Sequence, residues 1–220
     1  MGSVTVKALI FDFDGLLMDT ETTLLESWVW EWRRHGLELD PAGFFADHGG
    51  DANDGRYAAL AAAVGPGYDR ASSHTLRMAH RAELNVALQP APGVVGWLDR
   101  AAELGLRLAV ASSSASGHVS SMLRQAGLLA RFEVLATGDE VAAHKPDPAV
   151  YLLALQRLGL PAGQAVAFED TAHGVAAARA AGLRCVAVPN PHADHARFGA
   201  ADLVVASAAD VPLDAAVWGA

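Results

Sequence analysis

The chain has a single cysteine, Cys185, among 220 residues. No intrachain disulfide can form, so the fold must rest on a core and not on crosslinks. Cys185 lies in the apolar run Leu183 to Val188 and reads as a buried core thiol. Positive charge is scarce too. There are 16 Lys and Arg against 25 Asp and Glu, a formal net charge of -9, and no basic run offsets it. Nonspecific nucleic-acid binding is therefore disfavoured. No charge-free apolar stretch is long enough to span a bilayer. No signal peptide is expected either, since Lys7 is followed by only a short apolar run before Asp12. Val6 stands where a myristoylation signal needs Ser or Thr. The expectation is a soluble, cytoplasmic, monomeric protein whose partners are neither nucleic acid nor membrane. Internal repeats and low-complexity tracts are also absent.

What the chain does have is apolar residues, 52% of the total, enough for one large domain or a core domain with a smaller partner. Its most informative stretch is Leu9-Ile10-Phe11-Asp12-Phe13-Asp14-Gly15. The apolar run ending at Phe11 is too short for a globular helix and predicts a buried parallel strand. Residues two apart on a strand point the same way, so Asp12 and Asp14 can converge on one point, and Gly15 permits a sharp exit. Carboxylates that close repel, more so when buried, and a hard divalent cation is the simplest partner for them. A lone D-x-D ending a strand in an acidic turn is the plainer alternative, so the rest of the chain must decide.

After Gly15 the period changes. Leu25, Trp28, Val29 and Trp32 fall on one face of an amphipathic helix, with Glu21, Glu26, Glu31, Arg33 and Arg34 on the other sides. Further helical stretches cover roughly 52–64 and 69–88, with no strand between them. Pro90-Ala91-Pro92-Gly93 then marks a boundary. Beyond it helices and short apolar strands alternate, with strands at about 106–111, 133–136, 165–168, 185–188 and 203–205. Such alternation predicts an α/β fold, a doubly wound parallel sheet with helices on both faces. The first strand belongs to the same sheet. The core is thus residues 1–17 and 89–220, and 18–88 is an inserted all-helical unit.

Ligands of open parallel sheets bind outside the carboxyl ends of the strands. The second strand runs into Ser112-Ser113-Ser114, where a hydroxyl and backbone N–H groups suit phosphate oxygens, although a serine loop capping a helix is the plainer reading. After the third comes His144-Lys145-Pro146-Asp147-Pro148, in which Lys145 stands before a helix that Pro146 opens. The fourth ends in Glu169-Asp170-Thr171, a second acidic pair, where Asp170 or Thr171 also fits a helix cap. Each feature alone has an ordinary explanation. Together at one sheet edge they describe a magnesium–phosphate site.

Asp12-Phe13-Asp14-Gly15 with Asp19-Thr20-Glu21, then Ser112, Lys145 and Glu169-Asp170, resembles in order the four motifs of the haloacid dehalogenase-like (HAD) hydrolases. The match covers nearly the whole chain. The helical insertion resembles the subclass I cap, on a Rossmann-like core, and the β-phosphoglucomutase-like phosphatases are the nearest relatives. The resemblance implies an Mg²⁺-dependent phosphatase for a small phosphorylated metabolite such as a sugar phosphate. Asp12 would be the nucleophile that forms an aspartyl-phosphate, and Asp14 the general acid and then base. Ser112 would bind a phosphoryl oxygen, Ser113 and Ser114 beside it would bind substrate, and Lys145 would hold Asp12 and the phosphate. Asp12, Asp170 and the backbone carbonyl of Asp14 would hold the metal, with Glu169 acting nearby through a water.

In this family the cap reads the leaving group. Trp28 matches a tryptophan often found on the first cap helix, its other role being cap core. The segment 44–53 stands where relatives carry a specificity loop. Here it offers His48, Asp51 and Asn53 as substrate contacts, with Arg56 one turn later, in place of the usual basic residue. A mutase is the alternative to a phosphatase. Mutase relatives carry a histidine four residues before that tryptophan, where this chain has Leu24. A dehalogenase or phosphonatase is disfavoured because Asp14 is present, and a non-catalytic phosphate-binding protein because nothing essential is missing.

Overall fold

The computed structural model of the chain describes residues 5–41, 44, 53–190, 193 and 195–218. Two compact units are seen, one made of the chain up to Met18 and from Gln89 onward, the other of Asp19–Leu88. Among the described residues, no helix is long and apolar enough to cross a membrane.

The first unit is built on a six-stranded sheet of β1 (Ala8–Phe11), β2 (Arg107–Ala111), β3 (Val134–Ala136), β4 (Ala165–Glu169), β5 (Arg184–Ala187) and β6 (Leu203–Val204). The order is β3-β2-β1-β4-β5-β6, and every pairing is parallel. This is the α/β doubly wound sheet that the alternation predicted. All four residues of β1 are buried, as a central parallel strand with helices on both faces requires. The connecting helices are α4 (Val94–Glu103), α5 (Ser116–Gln125), α6 (Ala149–Leu158) and α7 (Ala172–Ala180). On one face Ile10, Ala109, Ala136, Ala167 and Cys185 form a common core with Val150, Tyr151, Ala154, Val175 and Ala178 of α6 and α7. The many alanines on both sides of that contact let helix and sheet backbones approach closely. Cys185 is buried there, as expected. On the other face Phe11 stacks on Phe168 at 4.7 Å, and Trp97 of α4 lies 5.0 Å from Phe168. A short α8 (Leu213–Trp218), which the periodicity did not suggest, buries Leu213, Ala216 and Val217 and pairs Asp214 with Arg100 at 2.8 Å.

The second unit contains α1 (Thr20–Arg34), α2 (Asn53–Val64) and α3 (Arg70–Val86). Asp19 caps α1, its side chain accepting from the Thr22 N–H. The buried face of α1 differs from the one that apolar periodicity marks. Thr20, Thr23, Leu24, Ser27, Trp28 and Glu31 are inside, whereas Leu25, Val29 and Trp32 are half-buried. Glu31, expected on a solvated side, is fully buried. The reason is complementary chemistry. Ser73 Oγ donates to Glu31 Oε1 at 2.6 Å, Arg34 Nη1 lies 2.9 Å from Oε2, and His35 Nε2 is 3.2 Å from Oε1. A charge so partnered tolerates burial that an unpartnered one would not.

Candidate active site

Where β1 and β4 lie side by side, the chain order along the sheet reverses, from β1 outward to β3 and then back to β4. Such a switch point opens a crevice at the strand ends. Asp12 and Glu169–Asp170 stand on its two sides, tied by the Asp12 N–H donating to Phe168 O at 2.9 Å. Gly15 then takes φ 80°, a left-handed conformation that a side chain would strain, and its N–H returns to Met18 O at 2.8 Å.

Lys145 arrives from the loop before α6 and spends all three of its protons here. It donates to Asp12 Oδ1 at 2.6 Å, to Glu169 Oε1 at 2.6 Å and to the Ala111 carbonyl at 2.8 Å. Its ammonium also lies 5.1 Å above the Tyr151 ring, and the Tyr151 hydroxyl donates to Glu169 Oε1 at 2.6 Å. Glu169 fits only because Gly174 has no side chain. A Cβ there would lie 1.9 Å from the Glu169 carboxylate. The helix it belongs to, α7, is capped by Thr171 Oγ1 accepting the Gly174 N–H at 3.1 Å.

The electrostatics follow from this crowding. Burial pushes the Asp12 carboxyl up to about 7, Glu169 and Asp14 add to the rise, and Lys145 opposes it. Burial works against the Lys145 charge as well, but Asp12 and Glu169 outweigh it and hold the ammonium well above its ordinary value. Asp12, Glu169 and Asp170 are all buried, and each brings a carboxylate oxygen within 4.8 Å of the others. Three carboxylates lie close together, and one ammonium bonds two of them. That is an all-oxygen donor set with excess negative charge, which suits a hard divalent cation.

Ser112, at the end of β2, is fully buried and its Oγ accepts the Ser114 N–H at 3.0 Å. Ser113 is exposed. Ser114 Oγ donates to Asp14 Oδ2 at 2.6 Å, and His118 Nε2 on α5 lies 3.6 Å from Asp14 Oδ1. Asp12, Asp14, Ser112, Ser114, Lys145, Glu169 and Asp170 thus stand along one edge of the sheet. Sequence reasoning missed Tyr151 and His118. Tyr151 carried a faint signal, because a tyrosine in the apolar stripe of α6 needs a partner for its hydroxyl. His173, expected to face solvent from α7, is half-buried.

The candidate residues of the helical unit have other surroundings. Trp28 is fully buried in a cluster with Leu24, Tyr57 and Leu60, under the guanidinium of Arg77 at 4.4 Å. Asn53 opens α2. Arg56 lies 4.0 Å over the Phe44 ring and donates to the Phe44 carbonyl at 3.0 Å. His48 and Asp51 lie outside the described residues.

Known proteins resemble the chain over most of its length. The family model of the haloacid dehalogenase-like hydrolases matches residues 9–188. YhcW of Bacillus subtilis (strain 168) is 39% identical over 185 residues, 84% of each chain. Fructose-1-phosphate phosphatase YqaB of Escherichia coli (strain K12) is 32% identical over 183 residues, 82% of this chain and 95% of that protein. Among solved structures, CbbY from Rhodobacter sphaeroides in complex with phosphate superposes with a TM-score of 0.74 at 28% identity, covering 94% of this chain and 96% of that one. The four strand-end motifs, the switch-point geometry and these relatives converge: the chain belongs to the haloacid dehalogenase-like hydrolases and is a phosphatase among them.

Proposed function

We propose that the chain hydrolyses a small sugar phosphomonoester through an aspartyl-phosphate on Asp12, with Mg²⁺ as cofactor. The observation that carries this is Lys145, which joins Asp12 to Glu169 at 2.6 Å each inside a buried group of three carboxylates. A nucleophilic carboxylate in that setting is held rigidly, and phosphoryl transfer is catalysed chiefly by positioning and charge neutralisation. Lys145 engages Oδ1, which leaves Asp12 Oδ2 to attack phosphorus in line with the departing ester oxygen. Asp14 gives that oxygen its proton and later takes one from the water that cleaves the aspartyl-phosphate. The Ser112 hydroxyl, which accepts from Ser114, keeps its own proton for a phosphoryl oxygen. Asp12, Asp170 and the Asp14 carbonyl would hold the cation, with Glu169 behind them, and it would supply neutralisation of the phosphoryl charge.

The sugar-phosphate class is supported by the fructose-1-phosphate specificity in the name of YqaB and by the xylulose-1,5-bisphosphate complex of a CbbY mutant. We assign substrate selection to the helical unit. Water is taken as the acceptor because Leu24, four residues before Trp28, is a buried apolar residue of that unit's core. Phosphate release from a panel of sugar phosphates, with Mg²⁺ and with a chelator, tests the proposal. Metal-dependent release is expected, along with an acid-stable label on Asp12 from radioactive substrate. Turnover indifferent to the chelator would overturn it.

A further inference from the structure

Two side chains from the β2–α5 segment close on Asp14, and neither belongs to the four motifs' acid, base or metal set. Ser114 Oγ donates to Oδ2 at 2.6 Å, and His118 Nε2 stands 3.6 Å from Oδ1. They face different oxygens, one through a hydrogen bond and the other at ion-pair range, so together they bear on the rotation of the carboxyl plane as well as its place. Neither is loosely mounted. The Ser114 N–H donates to Ser112 Oγ at 3.0 Å, and the Ser114 carbonyl accepts the Gly138 N–H at 2.9 Å. Gly138 comes this near only as glycine, since a Cβ there would lie 2.0 Å from the Ser113 carbonyl oxygen. His118 sits one turn into α5, its N–H bonded to Ala115 O at 3.0 Å. Its ring meets the Phe13 ring edge to face, with centroids 5.9 Å apart and planes at 89°. Phe13 is fully buried between Asp12 and Asp14, so the imidazole rests on the backbone segment that it orients.

We propose that Ser114 and His118 are positioning residues that clamp the Asp14 carboxyl in the orientation from which it delivers its proton to the leaving oxygen. The inference rests on Asp14 acting as the general acid, as proposed above. The clamp accounts for the engagement of the Ser114 hydroxyl with protein, and gives a half-buried histidine in a helix a task. A misaligned acid loses proton transfer while nucleophile, lysine and phosphate loop stay in place, and small displacements of a reacting group cost on the order of tenfold to a hundredfold.

The test uses leaving groups. An alkyl phosphate needs its departing oxygen protonated, and an ester with a strongly acidic phenol does not. The quantity read is kcat/KM, which reports steps up to aspartyl-phosphate formation. Ser114→Ala and His118→Ala should each lower kcat/KM for the alkyl ester at least about tenfold more than for the activated aryl ester. Ser114→Thr and His118→Gln, which keep a donor, should restore part of that gap. Equal losses on both esters would mean a merely structural role and would overturn the clamp, as would no loss on either. Asp14→Asn run beside them separates the two levels. A selective loss in Asp14→Asn with none in the clamp variants sinks the clamp alone. No selectivity in Asp14→Asn removes the acid assignment, and the clamp with it.

Discussion

Both units of the molecule bury charge, and they do so in opposite ways. In the α/β unit the buried charges are gathered: Asp12, Glu169 and Asp170 share one place with Lys145, which bonds two of them through a single ammonium. In the helical unit they are dispersed between α1 and α3, which pack together. Glu31 takes Ser73, Arg34 and His35. Arg77 donates to Tyr57 Oη at 2.9 Å and Ser27 Oγ at 3.1 Å, and lies over the faces of Trp28 and Tyr57. Ring faces and hydroxyls stand there where a counter-ion would be. Gathered like charge raises the energy of the folded chain, a cost that the proposed chemistry would account for. Dispersed, partnered charge ties α1 to α3 through Ser73 to Glu31 and Arg77 to Ser27.

The sharpest way to break that contrast is Asp12→Asn. Turnover should fall to background in a phosphate-release assay, because the amide cannot attack phosphorus. The melting temperature should not fall. Lys145 keeps Glu169 and the Ala111 carbonyl, while one charge leaves a crowded, desolvated site. A variant that unfolded early would place Asp12 among the structural charges. Next in size is Asp14→Asn, for which kcat on an alkyl phosphate should fall roughly 10²- to 10⁴-fold, the usual range for an acid–base group. The fold should be untouched, since Asp14 is half-buried at the rim of the cluster.

The helical unit should answer in the other currency. Arg77→Ala removes a fully buried guanidinium from over two aromatic faces, leaves a cavity, and takes one donor each from the Tyr57 and Ser27 hydroxyls, which keep His74 and the Leu24 carbonyl. A loss of about 3 kcal/mol is expected from urea unfolding, about a hundredfold in the folding equilibrium. Arg77→Met, which refills the volume, should recover part of it. If Arg77→Ala left unfolding unchanged, the dispersed charges would not be structural.

The contrast also explains what could be read in the sequence. Asp12, Ser112, Glu169 and Asp170 sit where strands end, so each is announced locally by an apolar run followed by a polar residue: Phe11 then Asp12, Ala111 then Ser112, Phe168 then Glu169 and Asp170. One strand-end rule brings them together without any knowledge of distant contacts. The buried face of α1 was not legible in the same way. Hydrophobic periodicity favoured Leu25, Val29 and Trp32 over Ser27 and Glu31. What draws the latter inside is Arg77 and Ser73, more than forty positions along the chain and invisible to a local pattern. His118 escaped notice for the same reason. Nothing near it in sequence shows that α5 carries it back to Asp14, and a lone histidine in a helix has many ordinary roles.

The smallest effect separates Asp12 from its neighbours by pH. With no cation bound, burial holds its carboxyl near 7, above its ordinary value. On the proposed metal site, a proton and a divalent cation would compete for that carboxylate, and binding the cation would release the proton. Above pH 7 the group is already ionised and Mg²⁺ affinity should be flat. Below it, Asp12 is increasingly protonated, and each unit of pH should weaken binding about tenfold, or about 1.4 kcal/mol. Calorimetric titration with Mg²⁺ at pH 6 and pH 8 should therefore give dissociation constants that differ about tenfold, tighter at pH 8, with proton uptake by the buffer at pH 6. In Asp12→Asn the two constants should coincide, at a weaker overall affinity. An equal slope in both proteins would assign the competing proton to another carboxylate. Burial makes that slope possible, and the neighbouring Glu169 and Asp14 carboxylates add to it while Lys145 opposes it.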